Sequence, residues 1–245
     1  MGKGNPNITL EHHAAQLRAK LNQPETRAII VGKGEKETKT YPVTLLGLGP
    51  ITTDLGEFKL YVLKVENDKW QDYQILTYGG GLEALQETPS LFVRVDSGCE
   101  SGQTFRDRTC DCQEQLQLAM AHCVVEGAGA IVHIPHQDGR GQGLAFKMAT
   151  LELQAAFDID TVTAFKLLGS DVDTRNYEGA VAAMLFLGIG SKYPIALGTN
   201  NPHKVESITQ AGIVIDRIVP VKVPATNLTK KHFQAKKNLG HNLDV

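Results

Sequence analysis

The sequence predicts an α/β fold: a mixed sheet with flanking helices and a β-rich N-terminal lobe. Three observations carry that prediction. Between Arg27 and Leu85 short apolar runs alternate with turn residues, the pattern of consecutive strands. From Leu91 onward the rhythm changes to strand, loop and helix, the pattern of an α/β sheet. The chain has 245 residues, 42% of them hydrophobic, enough to bury one large core.

Taken in order, residues 1–25 are polar, rich in Asn, Pro and Gln, and read as a loosely attached arm. The runs AIIVG (28–32), YPVTLLGLG (41–49), FKLYVLKV (58–65) and YQILTYGGG (73–81) read as strands, followed by LFVRV (91–95). Leu116, Ala119, Met120, Cys123 and Val124 recur at helical spacing and predict an amphipathic helix over 113–126, ended by Gly127 and Gly129. AIVHI (130–134) reads as a buried strand and HQDGRGQG (136–143) as a loop. That loop opens a helix whose buried stripe is expected to be Leu144, Met148, Leu151 and Ala155. A helix near 177–188 and a short strand at 194–198 follow. Asn201 and Pro202 supply an N-cap and a first-turn proline for a helix over 203–211. IVIDRIVPV (213–221) closes as a strand, and from Ala225 the tail is polar, basic and partly helical.

Composition excludes several function classes. Lys and Arg total 25 against 27 Asp and Glu, a formal net charge of −2, so the basic bias of a non-specific nucleic-acid binder is missing. No apolar run approaches the ~18 residues that span a bilayer. The first residues lack the apolar centre of a secretory signal, and Pro6 stands where a myristoylation signal needs Ser or Thr. A soluble, cytoplasmic protein with no nucleic-acid or membrane partner is expected.

Four cysteines occur, and three are clustered as Cys99-x10-Cys110-x-Cys112. In a reducing compartment such a cluster points to a metal or catalytic site more than to disulfides. Catalytic zinc keeps three protein ligands and leaves the fourth position open, and no fourth donor stands in this loop. The bare alternative is three unrelated buried thiols. Cys123 lies on the apolar face of the predicted helix and reads as core.

Other motifs leave two readings open. HQDGRGQG is either a plain turn or a cradle of backbone N–H groups for an anion, with Arg140 adding a donor fork. Asp173 and Arg175 in DVDTRNY (171–177) are either a surface ion pair or catalytic groups. TNNPHK (199–204) is either a helix cap or a phosphate seat.

VRVDSGC (93–99), RTCDCQEQL (108–116), HQDGRGQGL (136–144), DTVTA (160–164), TNNPHK (199–204) and GIVIDRIVPV (212–221) together resemble GTP cyclohydrolase II. The likeness runs from TDLGEF (53–58) to KKNLGHNL (236–243). The resemblance implies a catalytic domain over 51–245 preceded by an N-terminal extension over 1–50. It implies a homodimer that uses Zn²⁺ and Mg²⁺ to open the imidazole ring of GTP at C8, releasing formate and pyrophosphate and leaving a diaminopyrimidine nucleotide for riboflavin synthesis. Cys99, Cys110 and Cys112 would be the zinc ligands. Arg94, Val95, Asp96, Ser97, Gly98 and Gln115 would line the nucleotide pocket, with Asp138, Gly139 and Arg140 as the signature loop. Thr161, Thr199 and Lys204 match further nucleotide contacts, Asp173 the proton acceptor and Arg175 the arginine at the α-phosphate.

The sequence departs from that pattern at the usual His (Asp96), at two usual Glu positions (Gly98 and Asp138) and at a substrate-facing Tyr (Leu151). Each change alters buried polar pairing, which discriminates strongly between substrates. The same scaffold opening another base, a uracil nucleotide in pyrimidine catabolism, and a non-catalytic nucleotide-binding zinc protein are the alternatives.

Overall fold

The computed structural model describes residues 9–31, 37–170, 173–238 and 240–243. Pro6, Gly32, Asp171, Val172 and Leu239, named in the motifs above, lie outside the described residues. The elements, in chain order, are α1 (Leu10–Lys20), β1 (Pro24–Val31), β2 (Glu37–Thr53), β3 (Gly56–Val65), β4 (Asp72–Tyr78), α2 (Leu82–Gln86), β5 (Leu91–Ser97), α3 (Glu100–Gln103) and α4 (Cys112–Val125). There follow β6 (Gly129–Ile134), α5 (Asp138–Gly141), α6 (Leu144–Phe157), α7 (Thr161–Leu167), α8 (Glu178–Phe186), β7 (Ile195–Gly198), α9 (Pro202–Gln210), β8 (Ile215–Val219) and α10 (Lys230–Asn238).

All the strands join one eight-stranded sheet in the order β1-β2-β3-β4-β6-β5-β7-β8. The pairs from β1 to β6 are antiparallel, while β6, β5, β7 and β8 run parallel. The expected β-rich N-terminal part is therefore continuous with the α/β part. Residue 50, the expected end of the N-terminal extension, falls inside β2.

The sequence pattern explains this division. In β4 buried residues alternate with half-buried ones, as in a strand with one face on the core. β5 and β6 are buried almost throughout, as central strands are, with Arg94 and Asp96 as charged residues buried within β5. On one face α8 packs with its Gly179–Met184 stretch fully buried, small residues letting it lie close to the sheet. On the other face α4 packs Ala119 and Cys123 onto Phe92 and Ile131. Cys123 is core, as expected.

Several elements differ from the sequence reading. The arm contains α1, capped by Thr9 and burying no residue. A helix over Thr161–Leu167, capped by Asp160, was not expected. The stripe expected on α6 is wrong. Met148 and Ala155 are exposed, and Thr150 is the helix's buried residue. Here α6 turns Lys147, Thr150, Leu151 and Gln154 toward a cleft rather than toward the core, so its inner face is largely polar. Among the described residues no helix is long and apolar enough to cross a membrane.

Candidate active site

Three adjacent parallel strands set the site. β5 ends at Ser97 and leads into Gly98 and Cys99, β6 leads into the 135–143 loop, and β7 leads into Thr199 and Asn200. Ligands in α/β sheets bind beyond the carboxyl ends of the strands, and these loops converge on one cleft.

At one end of the cleft the Sγ atoms of Cys99, Cys110 and Cys112 all lie within 4.8 Å of one another. Cys99 precedes α3 and Cys112 opens α4. The connecting loop folds back through Asp107, whose carboxylate accepts from Thr109 N–H at 2.9 Å and from the Thr109 hydroxyl at 2.7 Å. A Cβ on Gly102 would lie 2.7 Å from Cys110 Sγ and 3.1 Å from Cys99 Sγ, so only glycine leaves the three sulfurs room to converge. Lys147 Nζ stands 3.0 Å from Cys99 Sγ. Cys99 is the thiol that ionises first. Hydrogen bonds from the Cys110 and Cys112 thiols hold its pKa far below the ordinary thiol value, against burial, with the Lys147 ammonium adding to them.

A chain of buried polar contacts runs beneath the cleft. Lys236 Nζ donates to Asp111 Oδ1 at 2.5 Å, and Gln115 Nε2 donates to Asp111 Oδ2 at 2.5 Å. Gln115 Oε1 accepts from Arg94 Nη2 at 2.7 Å, and Arg94 Nη1 donates to Gly198 O at 3.2 Å. Asp96 lies 3.7 Å from Arg94 and accepts from Gln103 Nε2 at 2.7 Å, while Gln103 Oε1 accepts from Cys99 N–H at 3.0 Å. His133 Nδ1 is 2.9 Å from Asp96. Burial alone would raise the Asp96 carboxyl, but the His133 hydrogen bond and the Arg94 charge outweigh it and hold it at about 2.

The glycine loop does not form a simple helix start. Gly139 (φ 56°) and Arg140 (φ 54°) are both left-handed, a conformation that is strained for arginine. The turn sends the Arg140 guanidinium over the Phe165 ring, 5.5 Å from its centroid. A Cβ on Gly141 would lie 2.9 Å from Thr174 Oγ1 and 3.1 Å from Arg175 Cγ, so the loop is pressed against the 173–175 segment.

The rest of the cleft is cationic. Lys204, 5% exposed, donates to Val95 O at 2.7 Å. Burial, then the Arg94 and Arg175 charges, push its pKa well below the usual ammonium value. Burial and Arg175 bring Arg140 down to about 10. Burial followed by Lys236, Arg175, Lys204 and Arg140 drives His241 down to about 3, so it stands neutral. Such an accumulation of cations is the electrostatic complement of a polyanion.

Nearly all the residues singled out from sequence meet in this cleft. Arg94, Asp96, Ser97, Gly98, the three cysteines, Gln115, Asp138, Gly139, Arg140, Thr161, Arg175, Thr199 and Lys204 line it, as does Leu151. Val95 packs its side chain in the core and contributes its carbonyl to Lys204. Asp173 is not among the lining residues. Its carboxylate is forked onto Arg175, with Nε to Oδ1 at 2.9 Å and Nη2 to Oδ2 at 2.5 Å. Asn201 caps α9 and Thr199 Oγ1 accepts from Asn201 N–H at 3.1 Å, so TNNPHK is a cap that also lines the cleft.

Sequence reasoning missed Gln137, Lys147, His232, Lys236 and His241, which also line the cleft, and Asp111 beneath it. One signal was available for Lys147: α6 carries only one other charged residue, Glu152.

Residues 49–220 match the family model for GTP cyclohydrolase II. The chain is 34% identical over 192 residues to a GTP cyclohydrolase-2 of Neisseria meningitidis, covering 78% of this chain and 92% of that protein. It is 36% identical over 194 residues to the riboflavin biosynthesis protein RibBA of Endomicrobium trichonymphae and 36% over 192 residues to that of Bacillus subtilis. The chain spans about half the length, 46%, of those two relatives.

Proposed function

The chain belongs to the GTP cyclohydrolase II family, and we propose that it is a zinc-dependent hydrolase that opens the imidazole ring of GTP at C8. In this reading it releases formate and pyrophosphate and leaves a diaminopyrimidine ribonucleotide for riboflavin biosynthesis. The observation that carries it is one cleft that holds both a three-thiol cluster and several buried cations. That combination suits a nucleotide whose base meets the thiol cluster and whose phosphates meet Lys204 and Arg175.

The chemistry of the donor set fits zinc: three convergent sulfurs, a glycine that leaves them room, and an ammonium beside one of them. Cys99, Cys110 and Cys112 would hold the ion, which supplies Lewis acidity and makes water more acidic. Lys147 offsets part of the negative charge of three thiolates, as an outer partner of a ligand does. Arg94 and Gln115, tied to Asp111, form a rigid floor under the ligand. Arg175 stays protonated at any working pH and stabilises charge on a transferring phosphoryl group, with Mg²⁺ accompanying the phosphates. Asp173 orients Arg175, and proton acceptance by Asp173 requires their forked pair to open when substrate enters. The domain reading follows: residues 51–245 carry the catalytic unit, and residues 1–50 extend it, adding α1 and the β1–β2 pairing.

Homodimerisation is supported by apolar side chains left exposed on α6 and α7, among them Phe157 at 71% and Leu167 at 67%. A reducing, cytoplasmic setting is supported by the need to keep the three thiols reduced.

The test is turnover of a nucleotide panel by zinc-loaded protein with Mg²⁺, followed by mass spectrometry. Formate and a ring-opened guanine product from GTP are expected. GTP left intact while a uracil nucleotide opens would keep the metal chemistry and replace the substrate. No turnover across the panel would overturn the enzymatic reading.

A further inference from the structure

Asp111 sits between two of the three clustered cysteines and is 1% exposed. A carboxylate this deep must have its oxygens met by donors. Gln115, one turn along α4, donates to Oδ2 at 2.5 Å. Oδ1 is met from 125 residues away in the sequence: Lys236 Nζ donates to it at 2.5 Å, and His232 Nε2 stands 3.4 Å away. Both side chains belong to α10. The Lys236 side chain is itself only 16% exposed, so solvent ions screen the pair weakly.

The seat of α10 is firm enough to deliver that ammonium. Phe233 and Ala235 are buried, and Lys236 Nζ lies 5.8 Å from the Phe233 ring centroid. At the end of the helix Gly240 is left-handed, at φ 85°. Two bonds close the turn there, Gly240 N–H to Lys237 O at 2.9 Å and His241 N–H to Lys236 O at 3.2 Å. The chain then reaches Asn242, whose N–H donates to Asn200 O beyond β7 at 3.0 Å, and Leu243 is buried. A lysine on a helix tied down in this way has less freedom to lose on pairing than one on a loose segment.

Asp111 passes the constraint on in two directions. Its backbone joins Cys110 to Cys112, so its placement sets the spacing of two sulfurs. Its side chain holds Gln115, whose Oε1 accepts from Arg94 Nη2 at 2.7 Å. We infer that Lys236 is a positioning residue: by holding the Asp111 carboxylate it fixes the Cys110–Cys112 turn and, through Gln115, the Arg94 guanidinium. Without the ammonium a buried carboxylate loses a donor, and the turn that carries it shifts to regain one. This rests on the zinc-hydrolase reading and makes α10 a working part of the site.

The test is made on the full-length protein without nucleotide. Zinc affinity is read by competition with a chelator, and the geometry of the thiol cluster by the thiolate-to-metal absorption of the cobalt(II)-loaded protein. Lys236→Met should lower zinc affinity by about 10- to 100-fold and shift the cobalt band, and Lys236→Arg should restore most of both. Lys237→Met removes the same charge from an exposed position on the same helix and should leave both readings at their parental values. Asp111→Asn should reproduce the loss, and adding Lys236→Met to it should cost no more than about twofold further. If Lys236→Met loses its native circular dichroism, Lys236→Gln keeps a donor without the charge and should fall between parent and Asp111→Asn. Parental zinc affinity and cobalt spectrum in Lys236→Met, with KM for GTP raised, would make Lys236 a substrate contact and overturn the inference. Losses that simply add in the double variant also overturn it. A parent that holds no zinc overturns the metal reading as well, and that result precedes any variant.

Discussion

Lys147→Met removes the ammonium that touches the thiol cluster, and the expected consequence is weaker zinc retention. At 3.0 Å from Cys99 Sγ, an ion pair in a medium of effective dielectric ~20 is worth about 5–6 kcal/mol. Two effects reduce that figure. Burial disfavours the lysine's charge, although the Cys99 charge outweighs it and keeps the Lys147 pKa above its ordinary value. A bound zinc also shares the thiolate's charge. The remainder should resemble the loss of other outer partners of metal ligands, about 10- to 100-fold in affinity, or roughly 1.4–2.7 kcal/mol. Because the lysine stabilises a thiolate, its removal also moves the pH of half-maximal zinc occupancy upward. Competition with a zinc chelator across pH reads both effects, and Lys147→Arg should restore most of the affinity. Unchanged zinc affinity in Lys147→Met, with turnover lost, would refute this reasoning and assign Lys147 to the substrate.

Arg175→Lys keeps a cation but loses the forked geometry with Asp173. It should spare ring opening while lowering pyrophosphate release at least tenfold, and equal loss of both products would count against a phosphate role. Asp96→Asn bears on acid stability. The folded-state carboxyl is held at about 2, below its ordinary 3.8, so its stabilisation is present above pH 3.8 and is lost as pH falls through 2. The difference is worth roughly 2 kcal/mol, and urea titrations of the metal-free variant should show a shallower loss of stability between about pH 4 and pH 2. Gly179→Ala tests the packing of α8: the new Cβ would land on the Tyr73 hydroxyl and 2.7 Å from Asp68 Cγ. It would disturb the 2.8 Å Tyr73–Asp68 hydrogen bond, with an expected cost of about 1–3 kcal/mol in calorimetric melting.

Strand content was legible because apolar alternation is a local signal. The sheet order was not, since the insertion of β6 between β4 and β5 depends on contacts distant in sequence. The stripe on α6 was misjudged for a physical reason. Periodicity assumes that a helix's inner face meets the core, whereas Lys147, Thr150 and Gln154 of α6 meet a polar cleft. The three cysteines were legible because their chemistry is rare and their spacing compact. Asp111 and Lys236 were not, because charged residues on helices ordinarily read as solvated surface, and only folding brings α10 back to the start of α4. Gln137 carried no sequence signal. Only folding brings it into the cleft.

The structure also sorts the positions where the sequence departs from its family's usual residues. A Cβ at Gly98 would lie 2.6 Å from Ile134 O and 3.0 Å from Pro135 Cα, and Gly98 N–H donates to that same carbonyl at 2.8 Å. The ends of β5 and β6 are therefore drawn too close for a side chain, and the glycine belongs to the sheet's geometry. Asp96 is likewise committed, since His133, Gln103 and Arg94 surround its carboxylate. These two changes are absorbed by the scaffold and leave little free polarity to face a ligand. Asp138 and Leu151 are different. Asp138 has both oxygens unpaired, and Leu151 presents an apolar surface to the same cleft from α6. A buried polar group selects strongly only when its bonds are completed by the ligand. Leu151 shapes the cleft wall without adding a donor. Positions 96 and 98, although they differ most in charge from the usual residues, are committed to contacts within the scaffold.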